Sequence, residues 1–409
     1  MPRHASPADR DCDVLVAGCG LAGLAAALAL AREGFDVVAC GADERAAPGR
    51  TVAMLDRSVA YLARLGLRDA LEAAGAPMRG LRIVDDTGGL FPARPVEFRA
   101  SEIGLDAFGW NIENDRMAAA LAAAAARTPR IERAPMTVAD YDFAGKRAEA
   151  TLADGRRIAA SLIVGADGRA SLARRAAGLT ARQRRYPQSA LTALLSHRLP
   201  HGDFSTEFHT PFGPFTLVPL PPTQTAPHRS SLVWLMSDAE AARHAALAPE
   251  ALEREIERQA HALLGALRLE GPPGVVPMAR QSVPRVVGER LALIGDAAHA
   301  FPPIGAQGLN LGLRDVEALA AAAAQARAEG RDIGAPETLA AYERARRTDI
   351  ATRTAAVDLL NRSLLAHFAP LDFARGMGLA ALGAIGPLRR FVMREGVAPN
   401  LHKQAFTNE

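Results

Sequence analysis

The sequence predicts an α/β fold: a discontinuous parallel-sheet domain, an inserted and mostly antiparallel β-sheet, and a helical C-terminus. Three observations predict it. A strand-like run, Asp13 to Gly18, meets a GxGxxG turn at Gly18, Gly20 and Gly23 and then an apolar helix. Residues 186–240 change to strand-like runs separated by Pro- and His-containing loops. Beyond Leu309 the pattern is largely helical.

Residues 1–11 read as a disordered polar tail. DVLVAG is a buried strand, and LAGLAAALALAREG a helix with Gly34 at its C-terminal end. DVVAC is a second strand, giving a β-α-β unit with a parallel pair. The spacing predicts helix over 57–75 and 114–127, with β-structure over 80–105. EATLADGRRIAASLIVGADG reads as two strands joined at Asp154-Gly155. SALTALLSH, FTLVPL and SSLVWLM are strands of the second sheet, and 248–269 is an amphipathic helix. RLALIG is again a buried strand, and Leu309 to Ala328 a helix. The expected boundaries are 11–80, 106–180 and 281–345 for the first domain and 81–105 and 181–280 for the inserted one. A helical segment over 346–409 follows.

Length and charge narrow the function. The chain has 409 residues, enough for two domains. A net charge of +3 argues against nucleic-acid binding by bulk electrostatics. Only Lys146 and Lys403 are lysines, so nearly all positive charge is Arg. Cys12, Cys19 and Cys40 form no metal-ligand or redox pair by spacing, and no metal is expected. The N-terminus has no apolar core of a secretory signal, and no apolar run is as long as a membrane span. The expected location is cytoplasmic, with peripheral contact to the inner membrane left open.

Three glycine-rich turns carry the chemistry. In GCGLAG, Gly18 allows a tight turn, Gly20 lets backbone approach a pyrophosphate, and Gly23 allows helix and strand to pack closely. This is a Rossmann-like dinucleotide signature, and the helix N-terminus faces the phosphates. The acidic residue that usually ends the second strand is replaced by Gly41; Asp43 or Glu44 are the candidates to reach back to the ribose. In GADGRASLAR, Asp167-Gly168 ends a buried strand; it reads equally as an Asp-Gly turn with an N-cap. In GDAAHAFPPIGAQGLNLGLRD, Asp296 can accept a sugar hydroxyl, Pro302 and Pro303 stiffen the approach, and Gly305 and Gly308 expose backbone N–H groups. Leu309 and Asn310 begin a helix there.

In this order the three turns resemble those of FAD-dependent aromatic hydroxylases of the p-hydroxybenzoate hydroxylase type, over nearly the whole chain. PPIGAQGLNLGLRD is the most specific part. Arg50-Thr51, FGWNIEN, YPQSALTA, GPFTLVPLP and SSLVW resemble the ubiquinone-biosynthesis hydroxylases more closely. Where many of these read AGQG, this chain has Gly305-Ala306-Gln307-Gly308. The resemblance implies a Rossmann-like FAD-binding domain in which Gly18, Gly20 and Gly23 cradle the pyrophosphate. Arg50 then lies along the cofactor, Asn111 or Asn114 adds a contact, and Asp296 binds the ribityl or pyrophosphate region. Gly305, Leu309 and Asn310 line the isoalloxazine, and Asp167 supports FAD and the nicotinamide donor.

The chemistry so implied is the cofactor's. NADH or NADPH reduces FAD, O₂ adds to give a C4a-hydroperoxide, and one oxygen passes to an electron-rich ring. The absence of a second GxGxxG implies that the nicotinamide visits rather than resides. No residue announces itself as a base. His299 in the third turn and Tyr186 are the candidates, with the alternatives of a structural His bonded to backbone and a packing Tyr. His197 and His209 read as satisfied histidines of the second sheet, and Trp234 as pocket or core. Phe212, Phe215, Leu217, Val218 and Leu220 read either as a channel for a prenyl chain or as plain core. The stretch from Leu364 reads as docking on a membrane surface, on partner hydroxylases, or on its own domain. The leading function is hydroxylation of a polyprenylated phenol on the way to ubiquinone. The alternatives are a hydroxylase of a soluble aromatic, a flavin-dependent prenyl-lipid reductase, and a non-catalytic flavin-binding module.

Overall fold

The computed structural model describes residues 8–42, 49–88, 94–301, 307–349 and 386–397. Its first sheet runs in the order Val287–Gly288, Leu291–Leu293, Arg157–Gly165, Arg10–Ala17, Val37–Cys40, Ile131–Ala134. Every neighbouring pair is parallel except the short edge pair at Val287. The hairpin of Val138–Asp142 and Ala148–Leu152 joins antiparallel through Arg157–Gly165. Parallel strands need cover on both faces, so the central ones are apolar along their C-terminal halves. Val14, Leu15 and Val16, and Leu162, Ile163 and Val164, are all fully buried.

Helix Leu21–Arg32 is buried along Gly23 to Ala31 because its side chains are nearly all Ala or Leu. A helix apolar all round belongs inside. It packs between the sheet, helix Gln307–Ala328 and helix Asn114–Ala126. Gly34 takes a left-handed φ of 87° just past its end, the role expected of it. The strand before it starts earlier than expected. Asp9 donates its N–H to the Arg157 carbonyl and accepts the Arg157 N–H at its carboxylate, so residues 9–11 belong to the sheet, not to a tail.

The second sheet has the strand order His299–Ala300, Gly274–Ser282, Arg182–His197, Arg229–Ser237, Gly213–Leu220, Phe204–Thr210, Gly80–Asp85, Val96–Arg99. Arg182–His197 is its spine, and the register against Gly274–Ser282 slips between Arg185 and Ser189. Pro187 lies in that slip; it has no N–H to give the ladder, so a bulge is where it fits. Strict alternation then sorts the residues. Leu191, Ala193, Leu195, Phe208, Phe215, Leu217, Leu232, Trp234 and Met236 form one core with Ala241, Leu252 and Ile256 of helices Asp238–Ala245 and Pro249–Gln259. The opposite face presents Thr192, Val233, Thr216 and Ser231 toward the first domain. The helix expected over 248–269 stops at Gln259. His261 and Ala262 take positive φ there, and Leu267–Leu269 turns back as a strand beside the spine.

A small third sheet, Thr51–Leu55, Gly109–Glu113 and Gly75–Pro77, lies between the two. The helix expected over 57–75 is two helices, Asp56–Arg64 and Arg68–Ala74, broken at Gly66 with φ 84°. Helix Gly386–Val397 packs on the first residues of the inserted region: Met393 joins Phe98 and Phe108, and Arg389 pairs with Glu102. Residues 364–385 of the apolar C-terminal stretch lie outside the described residues. No helix among the described residues is long and apolar enough to cross a membrane.

Phe215 tests the outer core. It is fully buried and meets Phe208 and Trp234 edge-on at 5.7 and 5.2 Å. Phe215→Ala is expected to cost about 3–5 kcal/mol, read as a lowered urea midpoint of the inserted sheet's unfolding.

Candidate functional site

The first glycine turn separates two duties. A Cβ on Gly18, whose φ is 115°, would sit 2.2 Å from the Ala166 carbonyl oxygen, and one on Gly23 would sit 1.9 Å from the Gly18 oxygen. Both glycines are dictated by backbone packing. Gly20 has nothing within 4 Å, and it is the N-cap of helix Leu21–Arg32 with no side chain capping it. The helix N-terminus thus opens on free space at Gly20, and its first turn carries no acidic residue. That is the geometry an anion such as a pyrophosphate requires. Gly41 explains the missing acid: a Cβ there would lie 2.6 Å from the Cys19 nitrogen, so no carboxylate side chain fits. Asp43 and Glu44, the substitutes named for it, lie outside the described residues.

The second turn closes on the first. Asp167 Oδ2 accepts the N–H groups of Leu172 and Ala173 at 2.7 and 3.1 Å, and Ser171 caps the same short helix. The capping half of the reading holds for Oδ2. Oδ1 is buried and has no partner among the described residues, so one acceptor remains for a ligand donor. Arg174, on the short helix after that turn, is buried and donates to the Ala297 and Arg169 carbonyls at 2.9 and 2.8 Å. It stitches the second turn to the third, and burial lowers its guanidinium pKa. Asp296 is on the rim. Its carboxylate meets Arg169 at 3.2 Å, with the two side chains 46% and 43% exposed. A pair that exposed is worth little and opens readily to a ligand.

Beneath the third turn lies a charged network that sequence reasoning did not find. Asp315 is fully buried on helix Gln307–Ala328. Its Oδ2 accepts His299 Nε2 at 2.6 Å and the Gly295 N–H at 3.0 Å, and its Oδ1 accepts Arg346 Nε at 2.7 Å. Arg346 comes from a helix over 336–349 and also holds Asp349 at 2.7 Å. Burial opposes ionisation of Asp315, yet His299 and Arg346 overcome it and keep the carboxyl below its ordinary value of 3.8. His299 Nε2 is therefore committed to a carboxylate rather than to backbone, and its Nδ1 is buried without a partner among the described residues.

Asn310 is buried, and its amide clamps strand Thr51–Leu55: Oδ1 accepts the Leu55 N–H and Nδ2 donates to the Ala53 carbonyl, both at 2.9 Å. Leu309 is half-buried against the first core. Gly305, with Pro302 and Pro303, lies outside the described residues. Arg50 is exposed at the head of the clamped strand, and its carbonyl accepts the Asn114 N–H at 3.0 Å. These two residues, predicted apart, stand together, and Asn114 Oδ1 is buried without a partner among the described residues. Asn111, the alternative to Asn114, spends its Nδ2 on the Pro219 carbonyl and Ser231, and its Oδ1 is likewise buried without a partner among the described residues.

The remaining candidates pack. Tyr186 lies with Ala190, Leu235 and Met278, with the Arg184 guanidinium 5.3 Å from its ring centre. Trp234 is core, tilted against His244 at 4.6 Å. Phe215 and Leu217 belong to the outer core, and Phe212 is exposed. His197 is satisfied: Nδ1 donates to the Leu199 carbonyl, Nε2 accepts the Ser230 hydroxyl, and burial lowers its pKa. Burial pushes the Cys12 and Cys40 thiols up to about 12, so neither supplies a thiolate at neutral pH.

The FAD binding domain family model matches residues 11–357. The chain is 36% identical over 399 residues to the ubiquinone hydroxylase UbiL of Rhodospirillum rubrum, spanning 95% of this chain and 90% of that one. The chain belongs to this FAD-dependent hydroxylase family. It is also 30% identical to the 3-demethoxyubiquinol 3-hydroxylase of Escherichia coli, over 93% of this chain and 97% of that one. Among solved structures, Pseudomonas aeruginosa PqsL in complex with 2-aminobenzoylacetate superposes with a TM-score of 0.76 at 22% identity, covering 91% of this chain and all of that one. Klebsiella pneumoniae HpxO with FAD and uric acid gives 0.74 at 20%, covering 94% and 96%. At that identity the likeness is one of fold. The family's cofactor fits the open space at Gly20 and the free acceptor on Asp167.

Gly20→Val fills that space without touching the fold, so the protein is expected to purify folded but colourless, by far-UV circular dichroism and flavin absorbance. Gly18→Ala, which strikes backbone, is expected to lower folded yield instead. Asp315→Asn leaves Arg346 without its buried counter-charge and is expected to cost about 3–5 kcal/mol at neutral pH. The Asp315 pKa is depressed in the fold, so its stabilisation is full above 3.8 and fades as pH falls from there through the lower folded value. The gap between wild type and Asp315→Asn in urea unfolding should narrow below pH 3.8.

Proposed function

We propose that this protein hydroxylates the aromatic ring of a polyprenylated phenol on the way to ubiquinone, with NADH or NADPH and O₂ as co-substrates. The observation that carries this reading is the end-to-end match to two hydroxylases named for ubiquinone compounds. Gly18, Gly20 and Gly23 would hold the FAD pyrophosphate, with Asp296 and Asp167 at the sugar side and Arg50 and Asn114 along the cofactor. Gly305 and Leu309 would line the ring system, with Asn310 fixing the strand that carries Arg50. FAD, when bound, supplies the electron store and the activation of O₂ for oxygen transfer.

The protein's own tasks are to orient the phenol, to keep water out and to handle its proton. The face of the second sheet toward the first domain suits the first two. Val218, Val233 and Leu235 make it apolar, and Thr192 and Thr216 add hydroxyls. The lipophilic substrate class accords with that surface.

The test is quinone profiling by mass spectrometry in cells lacking the protein, paired with oxygen uptake by the purified holoenzyme. Loss of ubiquinone with build-up of an under-hydroxylated prenylphenol, and phenol-stimulated NAD(P)H oxidation that consumes O₂, are expected. A normal quinone profile with uptake stimulated by soluble phenols alone would move the substrate class. Substrate-dependent NAD(P)H oxidation without oxygen consumption would make the protein a reductase.

A further inference from the structure

We propose that His209, held by Glu207, binds the phenol hydroxyl of the substrate and takes its proton. This rests on the reading that the substrate is a phenol.

Strand Phe204–Thr210 sets Glu207 opposite Thr216 and His209 opposite Pro214. Thr216 stands opposite Val233, and Val233 opposite Thr192. Residues in register on neighbouring strands share a face, so Glu207 and His209 lie on the face that carries Thr192, Val233 and Ser231. That face looks toward the first domain. The Ser231 hydroxyl accepts from Thr51 at 3.0 Å and from Asn111 at 3.1 Å, and Thr51 follows Arg50 directly. The helices of the inserted region cover the other face, so the pair is turned away from them and toward the cofactor side.

The pair has the build of an acid–base unit. His209 is 8% exposed, and its Nε2 lies 2.8 Å from Glu207 Oε1. Thr216 donates to the second carboxylate oxygen at 3.5 Å. The Glu207 side chain stays 23% exposed, so the carboxylate end of the pair keeps contact with solvent. The other ring nitrogen, Nδ1, is buried and has no partner among the described residues. A buried ring nitrogen without a partner is uncommon and asks for one. With Nε2–H donating to the carboxylate, Nδ1 carries a lone pair and can only accept. A phenol hydroxyl is a donor of the right kind. Thr192 Oγ1 is a second buried polar atom without a partner among the described residues on the same face.

The step balances as a single proton transfer. The phenol O–H bond breaks and an Nδ1–H bond forms. The imidazolium is then neutralised by Glu207, and the phenolate pushes electron density into the ring at the positions ortho and para to oxygen. The proton returns to the product oxygen or to solvent afterwards. A carboxylate that orients an imidazole and stabilises its charged form is the arrangement that general-base histidines use. The other charged group in register with His209 is Asp85 on strand Gly80–Asp85, whose Oδ1 accepts the Thr87 hydroxyl at 2.8 Å. Asp86 turns its carboxylate to Gln259 and His261, and Pro214 on the other side brings no charge.

The experiment is an anaerobic pH titration of 2-geranylphenol bound to the FAD-loaded enzyme, following the phenolate absorption band. In wild type the bound phenol is expected to ionise at lower pH than the free phenol. In His209→Gln, whose amide can still reach Glu207 but cannot take a proton, the titration should return to that of the free phenol. The turnover number should fall about 100-fold, with FAD content unchanged. Glu207→Gln should lie between the two. A His209→Gln titration that stays at the wild-type position overturns the proposal, because a purely structural His would change FAD content or stability and not the ionisation of the ligand. If His209→Gln does not retain FAD, Glu207→Gln carries the comparison, and a curve there identical to wild type overturns it equally. A wild-type enzyme that neither binds the phenol nor consumes O₂ with it overturns the functional reading beneath it, an outcome visible before any variant is made.

Discussion

Asp315 carries its charge where water is excluded, and three donors converge on it to make that tolerable. They come from Gly295, His299 and Arg346, so one carboxylate ties the third glycine turn to helix Gln307–Ala328 and to the helix over 336–349. The turn that bears Asp296 cannot shift without uncovering the buried charge. Asn310, further back on the same helix, carries the constraint outward by gripping strand Thr51–Leu55. The third glycine turn and the strand that follows Arg50 are thereby parts of one hydrogen-bonded body. A buried ion cluster is not an efficient source of stability by itself, but breaking one partner is costly, and this makes it an effective positional lock.

A second clasp joins the sheets. Arg229 is 4% exposed at its side chain and engages Glu270 on one hand and Glu113 of the small sheet on the other. Its hydrogen bonds to Glu270, with the Glu113 bond behind them, hold its guanidinium pKa above the ordinary value despite burial. Ser231, two residues along, receives Thr51 and Asn111. The inner face of the second sheet is thus set against the strand that leads from Arg50 by polar contacts at one end. Its middle stays apolar, with the Glu207–His209 pair beyond. Polar contacts specify orientation more sharply than an apolar seam would, because each leaves an unpaired group if displaced.

Much of this was legible in the chain. The glycine turn at Gly18, Gly20 and Gly23 follows from local sterics, and the β-α-β unit follows from hydrophobic period, since both depend on residues near one another. The alternating strands of the second sheet were legible for the same reason, and so was Gly34 as a helix end. Errors arose where the period was ambiguous. Residues 248–269 carry a helical pattern throughout, but the left-handed turn at His261 and Ala262 breaks it so that Leu267–Leu269 can pair with the spine. Asp315 left no distinguishing signal, since Arg314 and Glu317 flank it in the sequence and the group reads as an ordinary polar helix face.

The sequence by itself determined the fold class, the order of the three glycine turns and the chemistry they imply, because glycine placement and residue period act over a few positions. Only the tertiary structure decided which polar groups meet. Asn310 bonds a carbonyl 257 positions away, and Arg346 reaches Asp315 across 31. Gly41 is a glycine because Cys19 passes beside it, and His209 shares the face of Thr216 and Val233 because its strand pairs as it does. Such partners are selected by which groups remain unpaired once the sheets are packed, and that selection cannot be read along the chain.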